Sequence, residues 1–282
     1  MASGNTAVQT ASTELYGVPL TLEGLSVLHQ MFRFRWSEWR KLGESRQQEI
    51  VREAVEALSP AEASGQSAVY SMLGHKGDLM LVHFRESFDD LNAAELRLNR
   101  IELQTVLEPT HSYLSMIELG LYDSSLKLFR QLNERGVAPF SEEWNREVEE
   151  TTERQRQAMR PRLYPNIPDS RYVCFYPMNR TRGEQKNWYM LPIEERQRQM
   201  EEHGMVGRRY AGRVQQIITG SVGFDDWEWG VDLFAPEPLV FKKLIYEMRF
   251  DQVSAEYAQF GQFFMGLRLP VAELGKWMGV ES

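Results

Sequence analysis

The stretch RVQQIITGSVGFDDWEWGVDLFA, Arg213–Ala235, reads as a β-hairpin. RVQQIITGS and WEWGVDLFA carry the branched and aromatic residues that strands favour, and VGFDD between them supplies turn residues. Upstream, LPIEERQRQMEEHG predicts a helix, with Pro192 in its first turn, Glu194 and Glu195 near its positive end and Gly204 as its terminator. Before that helix, RYVCFYPM (Arg171–Met178) is strand-like. Downstream, PEPLVFKKLIYEMRF predicts a second helix, and SAEYAQFGQFFMGLRL ends in a strand. The order is βαββαβ, a ferredoxin-like unit.

The first half repeats the order. SVLHQMFRFRW suits a strand, and SEWRKLGESRQQEIVREAVEAL a helix with Ser37 as a cap. SAVYSMLG and DLMLVHFR form a hairpin across HKG. SFDDLNAAELRLNR is helix-like behind Ser87, and HSYLSMIELGLY closes the half as a strand. The fold class expected is therefore α+β: two tandem ferredoxin-like modules, residues 15–122 and 170–282, forming a dimeric α+β barrel within one chain. Two sheets packed face to face bury their bare faces and can enclose a pocket. The connector, residues 123–169, is helical and strongly charged; it reads as a solvated bridge that prolines stop in RPRLYPNIPD.

Composition narrows the function. A net charge of −8 and a pI near 5.3 argue against nucleic acid as a partner. The lone cysteine, Cys174, excludes an intrachain disulfide and makes a thiolate zinc site improbable. No apolar run is long enough to span a membrane. MASGNTAVQTASTE at the start has neither a basic head nor an apolar stretch and reads as a disordered tail, not a secretion signal. The expected location is cytoplasmic.

Three side chains draw attention. On the strand RYVCFYPM, Tyr172, Cys174, Tyr176 and Met178 share one side, and Pro177 places the segment near a strand end or edge. Tyr176 then lies near a rim, as an ordinary amphipathic tyrosine does. In RVQQIIT, Gln216 lies between Val214 and Ile218 on one face. If that face is interior, its amide needs a ligand, a water or a neighbouring backbone group, because an unmet buried polar group costs about 1–3 kcal/mol. His203 shares a helical face with Ile193 and Met200; it suits an iron ligand, and it equally suits a helix end. Arg160, Arg162, Arg180 and Arg182 bracket the Tyr176 strand, where they can bind carboxylates as planar forks or pair with the acids of Glu142–Glu153.

Taken together, YPMNR (Tyr176–Arg180), NWYMLPIEERQRQMEEHGMVGRRYAGRVQQIITGSVGFDDWEWGVDLF (Asn187–Phe234) and YEMRFDQVSAEY (Tyr246–Tyr257) resemble the haem-dependent coproporphyrin decarboxylases of the chlorite dismutase superfamily. The match covers most of the second half; the first half agrees by pattern only. The resemblance implies two ferredoxin-like modules per chain in a homopentamer. It implies His203 as the proximal iron ligand, Gln216 over the iron on the distal side and Tyr176 as the radical tyrosine. Met178, Arg180, Arg162 and Ser254 are implied around the propionates. The implied substrate and redox centre is iron-coproporphyrin III (coproheme), the oxidant hydrogen peroxide, the product haem b and a possible partner a coproporphyrin ferrochelatase. Arg180 departs from the lysine that many members carry. Chlorite-degrading relatives place an arginine where this chain has Gln216. The competing expectations are a chlorite dismutase or haem peroxidase on the same fold, a non-enzymatic haem-binding protein, and a cofactorless monooxygenase-type module.

Overall fold

In the computed structural model, which describes residues 16–280, each half of the chain builds one four-stranded ladder. The first half runs β1 (Thr21–Phe34), α1 (Trp36–Trp39), α2 (Glu44–Ala63), β2 (Ser67–Leu73), β3 (Leu79–Arg85), α3 (Phe88–Arg100) and β4 (Leu107–Gly120). The connector holds α4 (Tyr122–Glu134) and α5 (Glu142–Leu163). The second half runs β5 (Tyr172–Arg180), α6 (Ile193–Arg208), β6 (Gln215–Gly220), β7 (Trp229–Ala235), α7 (Leu239–Met248), α8 (Gln252–Tyr257), β8 (Ala258–Phe260) and β9 (Phe264–Arg268), and α9 (Leu274–Trp277) follows. Both halves keep the expected βαββαβ order. The N-terminal tail considered above lies outside the described residues.

The two ladders, β4–β1–β3–β2 and β9–β5–β7–β6, join edge to edge through β4–β6 and β2–β9 and close into a barrel. Met116 pairs with Gly220, and Tyr70 with Arg268. Closure removes the open edges that separate ladders would expose. The barrel interior is filled by Val27, Met31, Tyr70, Phe84, Tyr113, Phe175 and Phe234. At its centre the fully buried His29 meets Asp232, with Nε2 2.9 Å from Oδ1, and stacks on Phe175 at 3.9 Å. The expectation of a pocket between the two sheets is thus corrected: side chains fill that space, and the large cleft lies on the outer face of the second ladder.

Local expectations also change. Ser37 caps nothing: α1 starts at Trp36, and a second helix begins after the extended Gly43. The break falls at Trp39, whose buried indole donates to Met278 O at 2.9 Å near the chain's other end. Ser87 does cap α3, accepting from Asp90 N at 3.1 Å. Gly204 does not end α6, which runs on to Arg208 against α7; Pro192 precedes its first turn as the capping residue. Pro177 is interior to β5, not at its end. Its carbonyl accepts from Gly261 N at 2.8 Å, so its nitrogen faces the gap between the β8 and β9 pairings, where no ladder bond is needed. The connector is more than a solvated bridge. Trp144 of α5 stacks on Phe129 of α4 at 5.1 Å, and α5 runs through Pro161 to Leu163, whose backbone lies so close to Gly24 that any side chain there would collide.

Candidate active site

A half-open cleft of about 2350 Å³ lies between the outer face of β5–β7–β6 and helices α6, α7 and α8. It is larger than the roughly 300–1,000 Å³ typical of drug-sized ligands. Strand alternation sets its floor. On β5, Val173 and Phe175 point into the barrel, while Cys174 and Tyr176 point to the helix side with Tyr172 and Met178 beside them. On β6, Ile217 and Thr219 are buried, and Gln216 and Ile218, with Val214 just before the strand, face the cleft. Arg162, Tyr176, Met178, Arg180, His203, Gln216 and Ser254, all expected from sequence, line this one cleft.

His203 enters from α6. Its Nδ1 lies 2.9 Å from Asp251 Oδ2 and 3.4 Å from Ser254 Oγ. Asp251 is itself held: it caps α8, its Oδ1 accepting from Ser254 N at 2.8 Å. Burial pushes the Asp251 carboxyl up, but the bonds from His203 and the Ser254 backbone outweigh it and leave its pKa below the ordinary value. A carboxylate on Nδ1 fixes the ring and makes Nε2 the nitrogen available to a metal. Ser254 therefore stands beside the imidazole. Asp251 was not singled out in the sequence, although an aspartate at a helix start is a favoured N-cap residue.

Tyr176 is buried, its ring stacked on Phe263 at 4.6 Å. Burial raises its pKa, with Cys174 adding to the rise and Arg249 and Arg180 opposing it; the phenol is neutral at physiological pH. The Cys174 thiol, pushed up to about 12 by burial, is inert. Arg180 is buried beside them. Its guanidinium lies over Trp188 at 5.0 Å and touches Met200 Sδ at 3.5 Å, and no carboxylate of the described residues comes within 4.0 Å. Burial lowers its pKa. The pairing considered with Glu142–Glu153 does not form for Arg160, Arg162, Arg180 or Arg182: Arg160 lies over Tyr164, and Arg182 is 3.6 Å from Glu228. Gln216 is exposed in the cleft, so the cost of a buried unmet amide does not arise.

Two further residues organise the rim. Glu228, buried at the β6–β7 turn, accepts from Arg180 N at 3.0 Å and from the Tyr189 hydroxyl at 2.7 Å. It thereby ties β5 to the segment carrying Trp188 and Tyr189, which also line the cleft. Neither was legible beforehand, because the bonds join positions far apart in the chain.

Among the described residues no group of three or more His, Cys, Asp or Glu side chains converges to hold a bare metal ion. One anchored imidazole suits a metal that arrives inside a macrocycle, which needs a single axial ligand. A buried cation with no carboxylate of the described residues within 4.0 Å suits an acidic periphery on that macrocycle.

Comparison with known proteins agrees with this geometry. The chlorite dismutase family model matches residues 47–269. The chain is 43% identical over 253 residues to a coproheme decarboxylase of Staphylococcus saprophyticus, covering 88% of this chain and 93% of that one. It is 42% identical to the Staphylococcus carnosus coproheme decarboxylase, covering 89% and 94%. A solved haem-binding protein from Thermus thermophilus superposes with a TM-score of 0.78 at 39% identity, covering 94% of this chain and all of that one. Chlorite dismutase from Candidatus Nitrospira defluvii shares the fold with a TM-score of 0.66 at 17% identity. With a family model spanning most of its length and relatives above 40% identity, this chain belongs to the chlorite dismutase family.

Proposed function

We propose that this protein is a coproheme decarboxylase: it converts two propionates of iron-coproporphyrin III into vinyl groups, giving haem b, with hydrogen peroxide as oxidant. The observation that carries the reading is Arg180, a buried guanidinium with no carboxylate of the described residues within 4.0 Å, in the same cleft as Tyr176 and the anchored imidazole of His203. A tetracarboxylate supplies the missing anion. The bound iron porphyrin supplies the oxidising power once peroxide reacts with it.

The protein's own part is positioning and proton control. His203 binds the iron through Nε2 while Asp251 holds Nδ1–H. Arg180, with Arg162 at the cleft rim, fixes propionates as planar forks, and Met178 and Ser254 complete the walls. Tyr176 Oη then stands against a propionate. On one-electron oxidation the phenol loses its proton, and the neutral radical takes a hydrogen atom from the β-carbon. The substrate radical gives up a second electron and carbon dioxide, leaving the vinyl group. One peroxide per propionate accepts both reducing equivalents and leaves as two waters. Arg180 keeps a positive charge where many relatives have lysine, but it is a fork and not a proton donor; proton delivery is assigned to water in the open cleft.

Gln216, neutral and exposed to the cleft, favours this over a chlorite dismutase or general haem peroxidase, and oxygen evolution from chlorite is the discriminating assay. A homopentamer, a cytoplasmic location and receipt of substrate from a coproporphyrin ferrochelatase belong to the same proposal. Residues 170–282 are the porphyrin-binding module in it. The test is Tyr176→Phe mixed with iron coproporphyrin and peroxide, with products read by mass. The variant is expected to bind the porphyrin with the parent's Soret band and to form no vinyl product; haem b at the parent's yield refutes the radical role.

A further inference from the structure

The first module has a second cavity, of about 330 Å³, between the outer face of β1–β4 and α3. The duplicated order makes β1 and α3 the counterparts of β5 and α7, which line the main cleft, so this cavity corresponds to part of it. Its lining is polar and comes from four places. Gln30 projects from β1, and Glu95 and Asn99 lie one turn apart on α3. Gln104 lies in the turn Glu102–Val106, and Thr110, His111 and Ser112 lie on β4.

Two of these residues carry a buried polar atom with no hydrogen-bond partner among the described residues, Gln30 Oε1 and Gln104 Oε1; the His111 ring instead packs on Phe264 toward the barrel interior. Buried polar atoms are nearly always satisfied, so two orphans around one space call for an occupant. The Gln30 orientation is fixed by chemistry. Its Nε2 donates to Glu95 Oε1 at 3.1 Å, and because a carboxylate only accepts, the atom left over is the carbonyl oxygen. Gln30 itself is only 6% exposed. The backbone is also shaped here. The β1–β4 register shifts between Met31 and Phe32, so Thr110 is the extra residue of a bulge, and its Oγ1 donates to Met31 O at 3.1 Å. Bulges recur beside binding sites, where they re-aim side chains.

We propose that this cavity is a binding site for a small organic cation bearing a primary ammonium group. Two amide carbonyls and one carboxylate face it, no lysine or arginine among the described residues lines it, and Phe32 and Pro109 offer apolar surface for a short alkyl chain. A primary ammonium has three donors and no acceptor, which matches this acceptor set. One carboxylate and one imidazole are too few to hold a bare metal ion, and no group of three or more such side chains converges among the described residues. The site is remote from the porphyrin reading and does not depend on it.

Titration of the full-length protein with 1,4-diaminobutane and with n-butylammonium, followed by ligand-observed NMR and calorimetry, tests the proposal. Saturable binding is expected, with n-butanol not competing. Glu95→Gln should weaken binding about tenfold or more through loss of a charged partner. Gln104→Leu, in a separate turn, should weaken it independently, so a folding failure of one variant leaves the other to decide. Absence of saturation at millimolar amine overturns the proposal. So does binding at the parent's affinity by both variants, or a crystal grown with the diamine that shows only ordered water on Gln30 Oε1 and Gln104 Oε1.

Discussion

Replacing Arg180 by methionine should move apo stability and ligand affinity in opposite directions. In the ligand-free protein the buried guanidinium has no carboxylate of the described residues within 4.0 Å; its close contacts are the face of Trp188 at 5.0 Å and Met200 Sδ at 3.5 Å, with Asp251 and Glu228 attracting it from farther away. A buried ion carries a desolvation penalty of several kcal/mol that an apolar side chain of similar volume does not bear. The lost cation–π contact takes back about 0.5–2 kcal/mol. The apo variant should therefore melt at the parent's temperature or slightly above it. In the proposed complex with iron coproporphyrin, the same side chain would face a carboxylate. Unit charges 4 Å apart at an effective dielectric near 20 attract by about 4 kcal/mol, and the net worth of a charged hydrogen bond after desolvation is about 1.5–3 kcal/mol. The lower range corresponds to an affinity loss of about 10- to 150-fold. Thermal unfolding of the apo protein and Soret-monitored titration read the two quantities. A variant that is destabilised by more than about 2 kcal/mol yet binds the porphyrin as tightly as the parent refutes the assignment, because it makes Arg180 a structural residue.

Other substitutions probe separate links. Asp251→Asn should leave the fold intact, weaken iron-porphyrin affinity by about 10- to 100-fold and lower the iron–histidine stretching frequency in resonance Raman spectra; an unchanged frequency removes Asp251 as the partner of His203. His83 is buried and bonded to Ser67 Oγ at 2.7 Å, and burial depresses its pKa from 6.5 to about 3. The unfolded chain therefore binds more protons below about pH 6.5, and the stability contributed above that pH is lost as pH falls toward 3. Urea unfolding at pH 7 and 4.5 should show His83→Asn sparing about 2–3 kcal/mol of the acid loss; parallel losses in both proteins contradict this. Gly230 lies opposite Pro177 on β7, where an added Cβ would come within 2.6 Å of Tyr113 Cε1 and 2.7 Å of Thr219 Oγ1. Gly230→Ala should cost about 1–3 kcal/mol by overpacking, measured as a lower melting temperature, and an unchanged one argues against that packing.

Strand and helix identity was legible because it rests on local periodicity. Alternation in RYVCFYPM put Tyr176 and Met178 on one side, and alternation in RVQQIIT put Gln216 on the face that the cleft uses. The ordered likeness of Tyr176–Arg180 and Asn187–Phe234 to one family named Tyr176, His203 and Gln216 together, and they do share a cleft. Contacts between distant positions were not legible. Asp251 meets His203 across 48 residues, and Glu228 reaches Tyr189 across 39. Sequence spacing carries no trace of either. Gly204 looked like a helix end because intrinsic propensity disfavours it, and packing of α6 against α7 overrides that preference.

The amino-acid order alone determined the duplicated βαββαβ plan, since hydrophobic period and turn chemistry act over a few residues. Where the cleft opens was decided only by tertiary structure. Edge-to-edge closure of the ladders packs the inner faces with Phe175, Phe234 and Tyr113 and leaves the outer face of β5–β7–β6 to be roofed by α6. Whether two sheets enclose a space or fill it depends on side-chain volumes meeting across the barrel, a sum over both halves of the chain that no local pattern encodes.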